Sequence, residues 1–332
     1  MVLLLGFFTS SLSAQEGSGT SQTAGPVTAV EKHGQLAIYQ GMLVNNQQQA
    51  VSLAGPSLYW SNTGWGQEKY FNTETVQAFA TEWNATIIRA PLGAERYGSV
   101  LSHPGENLLR IETVVRAAIA QGLYVIVDWH SHQAEQDVAQ SRAFFAYMAE
   151  KYGDFPNIIY EIYNEPLNTT DWDTVIKPYS ERIIDTIRGF DPDNIILVGT
   201  QSWSQDVDKA ALNPIKNHTN IAYSLHFYAG THKQELRDKA QKALDAGLAL
   251  FVSEWGTVSA DGNGTVDRES VEEWLQFMRD NKLSHCSWSV SNKDAGASIF
   301  KPKSKALSAW RDKDLTENGL YLKQIIRDWA ES

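Results

Sequence analysis

Cysteine is almost missing from this chain: Cys286 stands alone among 332 residues. No intrachain disulfide can form, so the fold must stand on core packing, which a domain of this size can supply. Cys286 lies inside an apolar run and reads as buried rather than reactive. Positive charge is also scarce, with 28 Lys and Arg against 39 Asp and Glu and a net charge of -11. That balance argues against nucleic acid or an anionic membrane surface as partner. No apolar stretch is long enough to span a bilayer. No G-x-G-x-x-G motif occurs, which removes the phosphate turn of a doubly wound dinucleotide-binding sheet. Low-complexity linkers are absent after the first thirty or so residues, so no appended binding module is expected.

Aromatic residues, in contrast, are plentiful: 11 Trp, 13 Tyr and 12 Phe. Trp is costly to bury unless its N–H finds a partner, and many of these rings fall at strand and loop ends, where flat faces can stack on a ligand. The N-terminus runs Met1-Val-Leu-Leu-Leu-Gly-Phe-Phe and then into small residues up to Ala14. This is the apolar core and exit of a secretory signal over residues 1–15, although the usual basic residue before the apolar run is absent, as if the start were truncated. Residues 16–29 are rich in Gly, Ser, Thr and Gln and read as a disordered leader. The expectation is a secreted protein whose single domain covers residues 30–332.

Through that domain, strand-length apolar runs alternate with helical patterns. The runs are Val51–Trp60, Thr86–Leu92, Tyr124–His130, Ile158–Glu165, Ile195–Thr200, Ile221–Phe227, Ala249–Glu254 and His285–Ser291. Between and after them come helical segments at Thr73–Trp83, Leu108–Gln121, Ser141–Tyr152, Trp172–Phe190, Gln234–Ala246, Arg268–Asn281 and Asn318–Ala330. Gly122, Gly153 and Gly247 stand where three of these helices should stop. Eight strand–helix alternations in one domain predict an α/β fold, a closed parallel (β/α)8 TIM barrel.

In such a barrel, function collects at the C-terminal ends of the strands. Arg89 closes on the second run, where a buried charge is expensive unless paired. The third run delivers His130, and the fourth Asn164 and Glu165 ahead of Pro166, which cannot extend a central strand. The sixth delivers His226 and Tyr228, the seventh Glu254, and the eighth Trp288 and then Lys293. Singly, each has an ordinary explanation: a structural histidine, a paired glutamate, a packed tryptophan, turn chemistry at Asn-Glu-Pro. Together they put two carboxylates across one barrel mouth, as hydrolysis of a glycosidic bond requires. One carboxyl must be protonated to assist the leaving oxygen, and the other ionised.

The pair Tyr-Asn-Glu-Pro (163–166) and Ser-Glu-Trp-Gly (253–256), with Trp-His (129–130) and His-Phe-Tyr (226–228) between them, resembles glycoside hydrolase family 5. Val-Asp-Trp-His-Ser-His and Ser-Leu-Tyr-Trp-Ser-Asn are similar to stretches of its bacterial endo-β-1,4-glucanases, the cellulases. The resemblance covers the chain from about Val30 onward. It implies Glu165 as acid/base and Glu254 as nucleophile of a retaining, two-step hydrolysis of β-1,4-glucan, with the carboxyl groups roughly 5 to 5.5 Å apart. It further implies that Asn164 binds the sugar 2-OH, that Arg89 and Tyr228 donate to Glu254, and that His130 and His226 position the sugar and the acid/base. Trp288 would be the floor under the sugar and Lys293 would reach hydroxyls one unit further out, while Trp60, Trp65 and Trp203 are candidates for stacking on more distant glucose units. As acid, Glu165 is expected to carry a raised pKa. The resemblance brings no cofactor and no metal, and a monomer is expected. One departure stands out: relatives are expected to carry a carboxylate beside Gly296, where this chain has Ala295.

Three rivals remain at this stage. A mannanase, xylanase or mixed-linkage glucanase would use the same catalytic pair, because substrate choice lives in the loops. A metal-dependent hydrolase could use the H-x-H of His130 and His132, though it would leave both glutamates idle. An inactive carbohydrate-binding barrel would have no need of a paired acid and nucleophile.

Overall fold

The computed structural model describes residues 27–330; the signal segment and nearly all of the leader lie outside the described residues. Each of the eight apolar runs becomes a strand of one sheet. These are β3 (Ala54–Leu58), β4 (Ile87–Gly93), β5 (Tyr124–His130), β6 (Ile158–Glu161), β7 (Ile195–Val198), β8 (Ile221–Tyr228), β9 (Leu250–Gly256) and β10 (His285–Val290). Every neighbouring pair is parallel, and the circle closes where His285 of β10 faces Ala54 of β3. The protein is a (β/α)8 barrel. Its strands are buried on both faces, which is why they read as apolar runs rather than as alternating ones.

An outer ring of helices covers the strands: α2 (Thr73–Glu82), α3 (Pro104–Gln121), α4 (Val138–Tyr152), α5 (Lys177–Arg188), α7 (Val207–Leu212), α8 (Gln234–Asp245), α9 (Arg268–Asp280) and α10 (Glu317–Ala330). α9 shows how sequence makes each joint. Asp267 caps its first turn by accepting from the Ser270 amide, and Val271, Trp274, Leu275 and Met278 fall on one buried face. Trp274 lies flat on Phe227 of β8, with ring centroids 3.8 Å apart. Large apolar side chains of this kind contribute about 1.5–3 kcal/mol each when fully buried. No helix among the described residues is long and apolar enough to cross a membrane.

Four local features differ from the sequence reading. The leader gives way at Thr28, which forms a capping box with Glu31 and starts a short helix, α1 (Ala29–His33). A hairpin, β1 (Ala37–Tyr39) and β2 (Met42–Val44), follows it. Its strands are too short to carry a hydrophobic period, and Gln40 and Gly41 both take positive φ, as a two-residue type I′ turn demands. The expected helix over 172–190 opens with a π-helical turn, Trp172–Ile176, before α5, because Pro178 has no N–H to give Thr174. The fourth run stops pairing at Glu161 rather than Glu165, so the Asn164-Glu165 pair sits on the loop beyond β6.

The barrel interior is layered. At the N-terminal end, Leu36 and Leu43 pack with Leu53, Ile87, Ile126, Phe251 and the buried Cys286, so the hairpin region plugs the floor. Above this apolar floor the inward side chains turn polar, and the chemistry begins there. Gly55 marks the tight passage between strands: a Cβ on it would stand 1.7 Å from the Ile87 carbonyl oxygen. Gly55→Ala is therefore expected to destabilise the barrel by about 3 kcal/mol, the upper end for overpacking. Urea unfolding checks this, and a midpoint equal to that of the parent protein would refute it.

Candidate active site

The polar layer is built on a guanidinium. Arg89, fully buried on β4, donates from Nε to Glu161 Oε2 at 2.7 Å and from Nη1 to Glu254 Oε2 at 2.8 Å. Its Nη2 donates to Asn164 Oδ1 at 2.6 Å and lies 2.9 Å from Asp128 Oδ2. One planar fork thus holds three carboxylates from three other strands, a geometry that lysine could not reproduce. Glu161 also accepts from Ser224 at 2.7 Å and from Ser253. Burial works against its ionisation, but Arg89 foremost, then His226 and Ser253, outweigh burial and bring the carboxyl down to about 2.

Around this centre the period-2 alternation of the strands aims one side chain after another at the mouth. Asp128 and His130 share a face of β5, and His130 Nδ1 meets Asp128 Oδ2 at 2.6 Å. Burial first, and then Arg89, bring His130 down to about 3, so its ring is neutral, and burial likewise pushes the Asp128 carboxyl up. Tyr228 on β8 donates to Glu254 Oε1 at 2.7 Å, so both oxygens of Glu254 are fixed, one by Arg89 and one by the phenol.

Glu165 has a different environment. Its amide donates to Ser131 O at 3.3 Å, which ties the loop after β6 to the end of β5. Oε1 lies 3.0 Å from His226 Nδ1 and Oε2 lies 3.3 Å from His132 Nε2. His226 Nε2 meets Ser253 Oγ at 2.9 Å. One oxygen of Glu165, one oxygen of Glu254 and one ring nitrogen of His226 all fall within 4.8 Å of one another. Burial raises the Glu165 carboxyl, yet hydrogen bonds from His132 and then His226 outweigh it and hold the group below the usual carboxylate range. This reverses the expectation of a raised value. The physical reason is that the proton of each pair rests on a histidine: His132 is pushed up to about 10 and His226 to about 9, because their carboxylate partners outweigh burial.

The model of the cellulase family, glycosyl hydrolase family 5, matches residues 44–294. The chain is 50% identical over 282 residues to endoglucanase Z of Dickeya dadantii, covering 85% of this chain and 64% of that protein. It is 38% identical over 314 residues to an endoglucanase of Clostridium saccharobutylicum, covering 93% and 68%. The chain belongs to glycosyl hydrolase family 5. It spans about two thirds of the length of these curated relatives. Among solved structures it is similar to a protein of Cytophaga hutchinsonii, with TM-score 0.88, 45% identity and coverage of 92% and 98%. The catalytic domain of Thermobifida fusca endoglucanase Cel5A, determined with cellotetraose, matches with TM-score 0.84 and 28% identity over 90% of this chain and 99% of that one.

In this family 5 barrel, aromatic rings line the ground beside the two glutamates. Trp288, Trp60 and Tyr228 pack with Val258 and Ala297, and half-buried Tyr59 and Trp65 lie against them. Trp288 is parallel to the His130 ring at 5.5 Å. Trp60 is buried, edge-on to His130 at 4.2 Å and stacked with Trp65 at 5.7 Å, so it is a wall rather than an open platform. Trp203 differs from both, being 38% exposed. It lies in a left-handed turn, α6 (Gln201–Ser204), and its amide donates to Pro166 O at 2.7 Å, directly beside Glu165. Lys293 is exposed and donates to Tyr59 OH at 2.8 Å.

The H-x-H pair does not converge. His130 is engaged by Asp128, His132 turns toward Glu95 and Glu165, and neither belongs to a grouping of three possible ligand atoms among the described residues. Sequence reasoning missed Asp128, Glu161, Glu95 and Tyr59, and it gave His132 a different part. The signal for Asp128 and Glu161 was present: each is a carboxylate inside an apolar run, placed to face the same interior as Arg89.

Because its carboxyl is held down at about 2 instead of 4.5, Glu161 contributes stability that is fully present above pH 4.5 and is lost as pH falls toward 2. Glu161→Gln is expected to lower stability at neutral pH, by leaving Arg89 short of a partner, and to flatten the fall in Tm from pH 5 toward pH 3. Parallel Tm–pH curves for the two proteins would contradict this.

Proposed function

We propose that this chain is a retaining endo-β-1,4-glucanase acting on cellulose and soluble β-glucans, with Glu254 as nucleophile and Glu165 as acid/base. The observation that carries the reading is a short carboxylate separation combined with unlike surroundings. With an oxygen of each glutamate inside 4.8 Å, the gap suits direct attack on a bound sugar. An inverting enzyme needs room for a water, roughly 6.5–9.5 Å.

The division of labour follows from the partners. Glu254 is held and aimed by Arg89 and Tyr228, one on each oxygen. Glu165 is in contact with groups that can pass it a proton. In the first displacement, a Glu254 oxygen bonds the anomeric carbon as the glycosidic C–O bond breaks, and Glu165 protonates the departing oxygen. In the second, Glu165 takes a proton from water, which attacks the same carbon and releases Glu254. Arg89 occupies the Asn164 carbonyl oxygen, which leaves the amide NH2 to donate to the sugar 2-OH. Trp288 forms the floor at the cleavage point, with Trp60 and Trp65 walling the glycone side. Exposed Trp203 offers a stacking face beyond Glu165, and Lys293 reaches outward hydroxyls. His130, neutral and clamped by Asp128, orients the sugar. The names of the relatives and the cellotetraose complex of Cel5A support glucan over mannan or xylan. We read the protein as secreted and monomeric.

Glu165→Gln should lower kcat on carboxymethyl-cellulose by about 10²–10⁴-fold, and Glu254→Gln should abolish turnover while cellotetraose still binds. A 2-fluoro-cellobioside with an activated leaving group should label Glu254, as peptide mass mapping would show. Label on another residue, or faster hydrolysis of mannan or xylan than of the β-glucans, would overturn the assignment.

A further inference from the structure

We propose that His132, clamped by Glu95, is a positioning residue and proton reserve for Glu165, through which the enzyme keeps its acid competent in alkaline solution. The inference rests on the reading of Glu165 as acid/base and extends it to a pair of residues outside the two-glutamate scheme.

The geometry begins at the loop after β4. Glu95 Oε1 lies 2.8 Å from His132 Nδ1, and Glu95 Oε2 accepts the His132 backbone amide at 3.1 Å. One carboxylate therefore fixes both the main chain and the ring of His132. Trp60 covers that ring at 6.0 Å with 26° between planes, and Tyr163 donates to the His132 carbonyl at 3.0 Å. So held, the ring presents Nε2 to Glu165 Oε2 at 3.3 Å. The order Glu95–His132–Glu165 is a carboxylate, an imidazole and a carboxylate in line.

Glu95 is held down to about 2, chiefly by His132 against the effect of burial, so it accepts and His132 Nδ1 must carry a hydrogen. Only one proton is then free to move, between His132 Nε2 and Glu165 Oε2. In one state an imidazolium faces a carboxylate; in the other the N–H bond has broken, the O–H bond has formed, and a neutral imidazole accepts from the acid. Glu165 passes that proton to the leaving oxygen in the first displacement. In the second, the proton taken from water goes onto Glu165 and back to Nε2, so the line ends each turnover as it began. His226 makes a similar pair with the other oxygen, since Ser253 gives its own proton to Glu161 and accepts from Nε2.

Arg96 Nε stands 3.4 Å from Glu95 Oε1, the oxygen that also faces His132 Nδ1. Glu254 on β9 favours a proton on His226, and His130 on β5 is neutral in this range. His232, beyond β8, is shifted down by burial and sits neutral in this range. Glu135 is engaged by Tyr163 OH. Of the two histidines on Glu165, His132 is pushed up further, to about 10, and His226 to about 9, so His132 holds its proton to the higher pH.

The test is the pH profile of kcat/KM for the parent, His132→Gln, Glu95→Gln and Glu165→Gln enzymes. Two substrates are used, cellotetraose and 2,4-dinitrophenyl β-cellobioside, whose leaving group needs no proton. On cellotetraose, His132→Gln should move the basic limb down by about one pH unit, a tenfold loss on that limb. Glu95→Gln, which leaves the histidine in place, should move it in the same direction by less. On the dinitrophenyl substrate neither limb should move. An unmoved limb in both variants, a uniform loss at every pH, or an equal shift on both substrates would overturn the relay. If Glu165→Gln loses activity equally on both substrates, the acid/base reading itself fails, whatever the histidine does.

Discussion

Arg89 organises this protein. A guanidinium with no exposed surface, facing Glu161, Glu254 and Asp128 from separate strands, can be tolerated only if all its donors are used. The barrel meets that condition by bringing four strands to one depth. Nonpolar packing closes the floor and the outer ring, but it does not determine where a carboxylate points. The arginine does, and it ties the nucleophile candidate on β9 to the same centre as Asn164 beyond β6. Breaking such a buried network costs several kcal/mol, so correct assembly of the site and stability of the fold are linked. The same residues that would be hardest to replace for chemistry are among those most needed for closure.

The two glutamates of the mouth are made unlike by what touches them. Glu254 is addressed by groups that remain as they are near neutral pH, a guanidinium and a phenol. Glu165 is addressed by two imidazoles, which its carboxylate helps to keep protonated well above neutrality and which can each give up a proton. A pair of identical side chains is thereby divided into one held by groups that keep their protons and one held by groups that can exchange them. A lowered Glu165 pKa is then not at odds with the acid role proposed for it, because the proton is held one hydrogen bond away on a histidine rather than lost.

Much of this was legible in the sequence, for identifiable reasons. The eight strands announced themselves because a parallel barrel buries both faces, leaving continuous apolar runs broken only by residues with a task. Arg89, His130, His226, Tyr228 and Glu254 stood out as polar residues at the ends of those runs. What escaped was of two kinds. The β1–β2 hairpin and the left-handed turn at Trp203 are too short to carry a period, and they depend on positive φ at Gln40, Ser202 and Trp203, which residue type alone does not announce. Pairings across the barrel, such as Glu95 with His132, join residues whose separation along the chain encodes nothing. Asp128 and Glu161 were visible as interruptions but looked like the strand's own polar exceptions until Arg89 was seen between them.

Closure of the cylinder joins the first barrel strand to the last, with Ala54 facing His285 across more than two hundred residues of chain. During synthesis β3 therefore waits with a bare row of amides and carbonyls until β10 has left the ribosome. A parallel seam of that separation forms slowly, and an open edge invites pairing with other chains. Any fragment that stops before His285 would keep two such edges, and its natural fate is aggregation rather than a smaller barrel. The sheet is a ring, and one missing member leaves a ribbon with two open edges.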